Sequence, residues 1–216
     1  MKSVDYILNI FKQYGIYKGL IRILYAILRP IFKKKENIVL AIQNHQPKDF
    51  DSRVRELTSD SVQSLFDSNI INLQKKESIQ SILKNHSKGY YILENELLVA
   101  SAFVQMSGKY KCGTYYYNIP SFTCVLKNLY VEAPFRGKSY GKYLNKARIN
   151  NIPIEYLPVA FVIPDNRYAL RNLKIFGFEE ILYVKHITWF SKWTKMKLKI
   201  LKAGKLADHL VTGFYN

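Results

Sequence analysis

The chain has 216 residues, with 33 Lys and Arg against 16 Asp and Glu, and a formal net charge of +17. Hydrophobic residues make up 48% of it and aromatic residues 14%, which excludes a disordered chain and supplies enough apolar side chains for a core. The two cysteines, Cys112 and Cys124, lack the number and spacing of a disulfide framework or a zinc site. We therefore expect a reduced, cytoplasmic protein without a structural metal.

The positive charge is concentrated at the two ends of the chain. Residues 1–35 carry eight basic residues and one acidic residue, and residues 192–205 carry six lysines and no acidic residue. The part between them has a mixed composition typical of an enzyme. We predict a basic helical extension at 1–35, a globular domain at 36–191, and a basic tail at 192–216 that packs on the domain or extends it.

Apolar residues at helical spacing over the first 33 residues predict an amphipathic helix, which Pro30 ends or kinks. Its apolar stretch is too short and too charged for a transmembrane span, and its charges are not arranged as in a signal peptide. Three interpretations of the basic ends stay open: packing on the sheet, contact with an anionic membrane surface, or binding of an acidic partner. That partner would be an acyl carrier protein or nucleic acid, and nucleic acid is the least favoured because no recognition module accompanies the charge.

Beyond the extension, the pattern predicts strands alternating with helices. Residues 38–43 indicate a strand, Asp60 with Gln63 a capping box that opens a helix, and residues 74–85 a second helix. A hairpin follows at 90–94 and 97–106, with further strands at 113–118 and 122–131. A helix at 139–149, a buried parallel strand at 158–163, a helix at 167–176 and a strand at 179–190 complete the series. This order predicts a mixed α/β sheet flanked by helices.

Residues 129–144 combine a strand end, an Arg-Gly-Lys-Ser-Tyr-Gly turn and the start of a helix. Unpaired backbone N–H groups and the helix dipole favour an anion at such a position. Gly137 and Gly141 leave room for a phosphate, and Lys138 and Lys142 add positive charge. The stretch therefore predicts an anion site.

A second motif lies thirty residues further on, where Asn166 and Ala169 open a helix that ends at Gly177 and Phe178. In this order and spacing, the two motifs resemble those of the GNAT superfamily of acyl-CoA-dependent N-acyltransferases, and the likeness covers about residues 38–190. The resemblance implies an α+β fold with a mixed, mostly antiparallel sheet flanked by helices, to which this chain adds its N-terminal amphipathic helix.

The resemblance further implies acetyl-CoA as the co-substrate. Backbone groups of Leu129 and Val131 would hold the pantetheine and the thioester carbonyl, and Asn166 would contact the pantetheine or the leaving sulfur. The strand pair would splay open there and leave room for the acyl group and the amine. The complete set of cofactor-binding residues is Leu129, Tyr130, Val131, Arg136, Gly137, Lys138, Ser139, Tyr140, Gly141, Lys142 and Asn166. Two positions depart from the family pattern, because Ser139 replaces a glycine and Leu173 replaces the tyrosine that many members use as an acid.

We predict transfer of an acetyl group from acetyl-CoA to a primary amine of an amino sugar, a small amine, or a glycan or peptide acceptor. Glu132 and Tyr168 are the candidates for the base and the acid of this reaction. Two alternatives stay open: a longer-chain N-acyltransferase with an acyl-CoA or acyl carrier protein donor, and an inactive acyl-CoA-binding module. Attachment to the inner face of a membrane is a further open interpretation.

Overall fold

The computed structural model describes residues 16, 17, 20, 32–45, 51–113, 115–190 and 193–215. The N-terminal helix predicted from the sequence lies outside these residues, except that Ile16, Tyr17 and Leu20 are helical. The chain divides into two compact units, with boundaries after residues 35, 184 and 197. Within the described part, no helix is long and apolar enough to span a bilayer.

The main sheet has the strand order β10-β9-β1-β8-β7-β4-β3-β2. Its strands are β1 (Phe32–Ala41), β2 (Val54–Leu57), β3 (Ser87–Glu94), β4 (Leu97–Gln105), β7 (Thr123–Val131), β8 (Leu157–Val162), β9 (Glu179–Trp189) and β10 (Trp193–Ile200), and a separate ribbon pairs β5 (Lys109–Cys112) with β6 (Tyr115–Asn118). The helices are α1 (Ser59–Asp67), α2 (Leu73–Leu83), α3 (Tyr140–Asn150), α4 (Arg167–Ile175) and α5 (Lys205–Thr212).

The sheet is mixed and mostly antiparallel, as the resemblance implied. The pairs β1–β8, β2–β3, β3–β4 and β4–β7 are antiparallel, and β7–β8 is parallel. The parallel position predicted for residues 158–163 is thereby confirmed. Its Val159 and Ala160 are almost inaccessible to water, as expected of a strand in the middle of a sheet.

The hairpin of β3 and β4 turns on two residues, Asn95 and Glu96. Both have positive φ values, +50° and +60°, so the loop has the left-handed conformation that matches the twist of two antiparallel strands. The hairpin predicted at 90–94 and 97–106 is therefore confirmed. Glu94 lies at its tip, beside the loop described below.

Helix α3 buries the face that its spacing predicted, because Leu144 and Ala147 are fully buried in the core between this helix and the sheet. Leu173 of α4 and Phe178 after it join the same core. A second cluster on the sheet joins α1 and α2 through Val62, Leu65 and Ile79.

Several boundaries differ from the sequence prediction: β3 begins at Ser87 instead of residue 90, and two further differences have a physical cause. Helix α1 is capped by Thr58 instead of Asp60, since Thr58 Oγ1 accepts from the Ser61 amide and Ser61 Oγ accepts from the Thr58 amide. The chain turns directly after β2, which the sequence did not predict, and this places the cap two residues earlier than Asp60. Strand β1 begins at Phe32 instead of residue 38. The last residues of the predicted helical extension, up to residue 35, therefore belong to a strand, because pairing in the sheet overrides local helix propensity.

The basic tail contains two regular elements that its sequence pattern did not predict. Residues 193–200 form strand β10 at the edge of the sheet order, and Lys205–Thr212 form α5. Leu210 of α5 is fully buried, and His209 Nε2 lies 2.9 Å from Thr123 Oγ1 of β7. The last helix is therefore part of the folded core.

Candidate functional site

Strand β7 separates from its neighbour β8 at the position where the second half of β7 begins. The parallel pairing runs from Thr123–Leu157 to Leu126–Ala160 and stops there, although both strands continue. On its other edge β7 pairs with β4, and a bulge lies between the pairs Ser101–Tyr130 and Phe103–Lys127, where β7 has two residues and β4 has one. Asn128 lies in this bulge and has a φ of +50°. The β8-facing edge of the residues after Leu126 is therefore open, as the resemblance implied.

The loop between β7 and α3 presents a row of unpaired backbone donors. We call residues 137–141 the amide loop, because none of their five N–H groups has a hydrogen-bond acceptor in the described part of the chain. The first paired amides belong to Lys142 and Tyr143, which both donate to the Ser139 carbonyl at 2.9 and 3.1 Å. Unpaired amides at the N-terminus of an eleven-residue helix favour an anion such as a phosphate.

Ser139 holds a backbone conformation that glycine adopts more easily. Its φ is +63°, in the left-handed region, and its side chain makes no capping hydrogen bond. A side chain in this region costs about 1 kcal/mol relative to glycine. The loop geometry thus explains why the family has glycine here, and Ser139 keeps the geometry with some strain.

The charged side chains of the loop are held by other parts of the chain. Lys138 Nζ donates to Glu94 Oε1 at 2.9 Å, and the Tyr140 hydroxyl donates to the other oxygen of the same carboxylate. Both hydrogen bonds, of which the one from Tyr140 has the larger effect, lower the pKa of Glu94 below its usual range. Arg136 Nε donates to the Val131 carbonyl at 3.2 Å. The amide loop is therefore tied to the β3–β4 hairpin, and the residue before it is tied to the end of β7.

Asn172 is a candidate site residue that the sequence analysis did not identify. Its Oδ1 is buried and has no hydrogen-bond partner among the described residues. Its Nδ2 lies 3.5 Å from the position that a Cβ at Gly141 would occupy, and Leu129 Cδ2 lies 3.6 Å from the same point. An unpaired buried acceptor beside free amide donors fits a ligand that carries both an N–H group and a phosphate. The one feature of the sequence that could have identified Asn172 is that a polar residue directly precedes the apolar Leu173.

Asn166 serves as the N-cap of α4. Its Oδ1 accepts from the Ala169 amide at 3.1 Å, which leaves the N–H groups of Nδ2 and the second lone pair of Oδ1 for the predicted contact to a pantetheine. The side chain is exposed. The asparagine of the second motif thus has a structural role that is independent of any ligand.

No hydrogen bond joins the two catalytic candidates among the residues that the structure describes. Glu132 accepts from the Tyr130 hydroxyl at 3.1 Å and lies 3.7 Å from Lys75 Nζ of α2. Tyr168, in the first turn of α4, is 91% exposed. Leu173, where many family members have their acid, is 4% exposed and packs in the core. Glu132 therefore lies within a polar group on β7 and α2, whereas Tyr168 faces water.

Lys127 is a second residue that the sequence analysis passed over. It lies on β7 just before the bulge, is 9% exposed, and donates from Nζ to Gln105 Oε1 at 2.9 Å. Burial lowers its pKa to about 8. Its carbonyl and that of Phe103 accept from the Arg148 guanidinium at 3.3 Å each, and burial also lowers the pKa of Arg148. In the described part of the chain, no carboxylate pairs with either cation.

Comparisons with known proteins give one kind of match. No protein-family profile matches the chain, and no curated protein matches it in sequence. Among solved structures, a putative GNAT-family acetyltransferase from Novosphingobium aromaticivorans has a TM-score of 0.51 and 11% identity, over 79% of this chain and 66% of that one.

Two further solved structures have lower scores. A GCN5-related N-acetyltransferase from Kribbella flavida gives a TM-score of 0.41 and 13% identity, over 86% of this chain and 65% of that one. The aminoglycoside N-acetyltransferase AAC(6')-Iy, solved in complex with CoA, gives a TM-score of 0.40 and 17% identity, over 59% of this chain and 91% of that one. The chain thus spans about two thirds of the first of these proteins. With the sheet order, the β7 bulge and the amide loop described above, the match to the first structure shows that the chain has the fold of the GNAT superfamily.

Proposed function

We propose that the protein is an N-acetyltransferase that transfers an acetyl group from acetyl-CoA to a primary amine. The observation that carries this proposal is the position of the amide loop, with its five unpaired N–H groups, beside the open edge of β7. The loop would bind the pyrophosphate, and the strand edge would bind the pantetheine arm. Asn172 Oδ1, which has no partner within the described residues, would accept from an N–H group of that arm.

The transfer needs few groups from the protein. The amine nitrogen attacks the carbonyl carbon of the thioester, a C–N bond forms and the C–S bond breaks, the ammonium loses a proton, and the thiolate gains one. Glu132 is our candidate for the group that takes the proton, and Tyr168 for the group that supplies one. The exposure of Tyr168 means that a bound ligand would have to cover it before it could act in this way.

The cofactor site is best tested at Gly141. A Cβ at this position would meet only ordinary contacts, the nearest at 3.5 Å, so a small side chain fits without a clash. Gly141→Asp places a carboxylate in the first turn of α3, where the helix dipole stabilises it but a phosphate is repelled. Gly141→Asn is the matched control, with the same shape and no charge.

We expect acetyl-CoA to bind the wild-type protein at micromolar concentration in calorimetric titration. Gly141→Asn should weaken this binding slightly, and Gly141→Asp should weaken it by more than about tenfold relative to Gly141→Asn, roughly the effect of one unfavourable charge pair at short range. Equal affinities of the two variants would show that no phosphate lies at the amide loop. Absence of binding to acetyl-CoA, long-chain acyl-CoA and free CoA would contradict the proposal itself.

The acceptor is identified by thiol release in the presence of amines. Amino sugars, polyamines, amino acids and peptides form the panel, with acetyl-CoA alone as the blank. Glu132→Gln and Tyr168→Phe test the two catalytic candidates, because each keeps the shape of the side chain and removes its proton-transferring group. A candidate whose variant retains the wild-type rate at every pH has no part in proton transfer.

A second donor is supported by the outer face of α4. Arg167, Arg171 and Lys174 line a shallow groove there with Leu170 and Ile175, and this basic, partly apolar face suits an acidic carrier protein. Acyl carrier protein is therefore the alternative donor. Arg167→Gln with Arg171→Gln should then reduce the rate with an acyl carrier protein donor and leave the rate with acyl-CoA unchanged.

A further inference from the structure

The turn between β9 and β10 exposes three large aromatic side chains. The exposed fractions are 46% for Trp189, 59% for Phe190 and 72% for Trp193. The Phe190 and Trp193 rings contact each other edge to face, with centroids 6.3 Å apart and planes at 82°. Because β9 and β10 are neighbours in the sheet and only residues 190–192 connect them, the two strands form a hairpin with these rings at its tip.

Lysines follow the aromatic tip along the same strand face. Side chains two residues apart point to the same side of a strand, so Trp193, Lys195 and Lys197 share one face, and all three are exposed. Residues 181–207 contain seven lysines and no Asp or Glu. Near its tip the hairpin therefore presents aromatic rings with a positive surface behind them. Its acidic residues, Glu179 and Glu180, lie at the far end of β9, where they pair with Lys202 and Lys174.

We propose that this hairpin tip binds an anionic membrane surface. Tryptophan and phenylalanine rings favour the boundary between water and hydrocarbon, where their apolar bodies are buried. Lysines just behind them then lie at the depth of the lipid phosphates, which attract them. An exposed aromatic cluster together with a one-signed charge is the combination that an interfacial anchor needs. This inference is independent of the proposed catalytic activity.

A single-stranded nucleic acid is the other polyanion that binds aromatic and basic residues. It requires aromatic faces that are open for base stacking. In this hairpin, the Phe190 ring meets the Trp193 ring nearly at a right angle, which gives a compact apolar tip instead of a series of parallel platforms. The geometry therefore favours a lipid surface, and RNA is included in the test.

The chain offers a built-in reporter for the test, because its two tryptophans are Trp189 and Trp193. We would titrate the full chain with vesicles of phosphatidylcholine and phosphatidylglycerol in equal parts, at physiological salt, and follow sedimentation and tryptophan emission. We expect co-sedimentation, a shift of the emission to shorter wavelength, and quenching by lipids brominated in the acyl chains. Vesicles of phosphatidylcholine alone should bind much more weakly.

Three variants separate the contributions of the rings and the charges. Lys195→Gln with Lys197→Gln should weaken partition to anionic vesicles by about fivefold per lysine, the usual effect of one cation near such a surface. Phe190→Ser with Trp193→Ser should weaken it by about tenfold or more and remove most of the blue shift of Trp189. Phe122→Ser is the control, since Phe122 is 64% exposed in a different turn and should not contribute.

Each of the remaining outcomes would overturn the proposal. Vesicle binding without any change in tryptophan emission would show that another basic segment, such as residues 1–35, makes the contact. Wild-type binding by the Phe190→Ser, Trp193→Ser variant would do the same, provided that its circular dichroism spectrum matches that of the wild type. A change of emission with single-stranded RNA but not with vesicles would assign the hairpin to nucleic acid.

Discussion

Lys127 allows a direct test of how much a buried positive charge destabilises this protein. The residue is 9% exposed, its ammonium donates to the neutral side chain of Gln105, and burial lowers its pKa from an ordinary 10.5 to about 8. At about 1.4 kcal/mol per pKa unit, this difference corresponds to at most roughly 3 kcal/mol of destabilisation by the buried charge. Lys127→Met removes the charge and keeps the volume.

The sign of the pH dependence follows from the lowered pKa. Below pH 8 the lysine is protonated in both the folded and the unfolded state, so the full penalty is present. Between pH 8 and 10.5 the folded protein releases the proton and the unfolded chain keeps it, so the stability of the wild type rises relative to that of Lys127→Met. We expect the difference between the two proteins to change by up to roughly 3 kcal/mol over this range.

The assay is urea unfolding followed by circular dichroism at several pH values from 7 to about 10.5. Loss of the hydrogen bond to Gln105 shifts the stability of Lys127→Met by a constant amount, so only the slope of the difference with pH reports the buried charge. Stability curves of the wild type and the variant that run parallel through this range would refute the reasoning. They would mean that Lys127 keeps its ordinary pKa in the folded protein.

Three other predictions concern the amide loop and the C-terminal helix. Ser139→Gly should raise the free energy of unfolding by up to about 1 kcal/mol, because it relieves the strain of the left-handed backbone, whereas Ser139→Ala should not. Thermal unfolding measures both variants, and equal effects of the two substitutions would contradict the prediction. Glu94→Gln should increase the affinity for acetyl-CoA severalfold in calorimetry, because Lys138 loses its carboxylate partner and can turn to a phosphate; an unchanged affinity at low salt would show that Lys138 does not contact the ligand. Gly213→Ala should destabilise the protein by about 2 kcal/mol or more in urea unfolding, since its Cβ would lie 2.4 Å from Tyr117 Cε2 and 2.5 Å from the Asn118 carbonyl oxygen. Wild-type stability would show that both the ring and the backbone can move aside.

Local sequence signals placed most of the regular elements between residues 70 and 190. Helix α3, strand β8 and the β3–β4 hairpin lie where apolar spacing and turn residues predicted them. Helix α5 was missed, although its Leu210 is buried. The missed strands are short or exposed: β2 and β5 have four residues each, and β10 has lysine at alternate positions. Such segments become strands through pairing with neighbours, which a local pattern does not contain.

The candidate site divides in the same way. The anion site in the loop of glycines and basic residues before α3 stays a prediction. It could be made from the sequence because the conformation and the unpaired amides are properties of a few consecutive residues. The positions of Asn172 and Lys127 could not. Asn172 becomes part of the site only because α4 packs beside Gly141, and Lys127 becomes a buried cation only because the sheet covers it.

The sequence by itself determined the class of fold, the glycine-containing turn before α3 and the concentration of charge at the two ends, since each of these depends on neighbouring residues or on composition. Tertiary structure decided which side chains lost water or gained partners. Glu94 holds Lys138 and Tyr140 across 44 and 46 residues of sequence, and β7 separates from β8 only where the sheet bulges. Contacts between residues so far apart in the sequence depend on how strands and helices pack. A pattern of neighbouring residues does not contain this information.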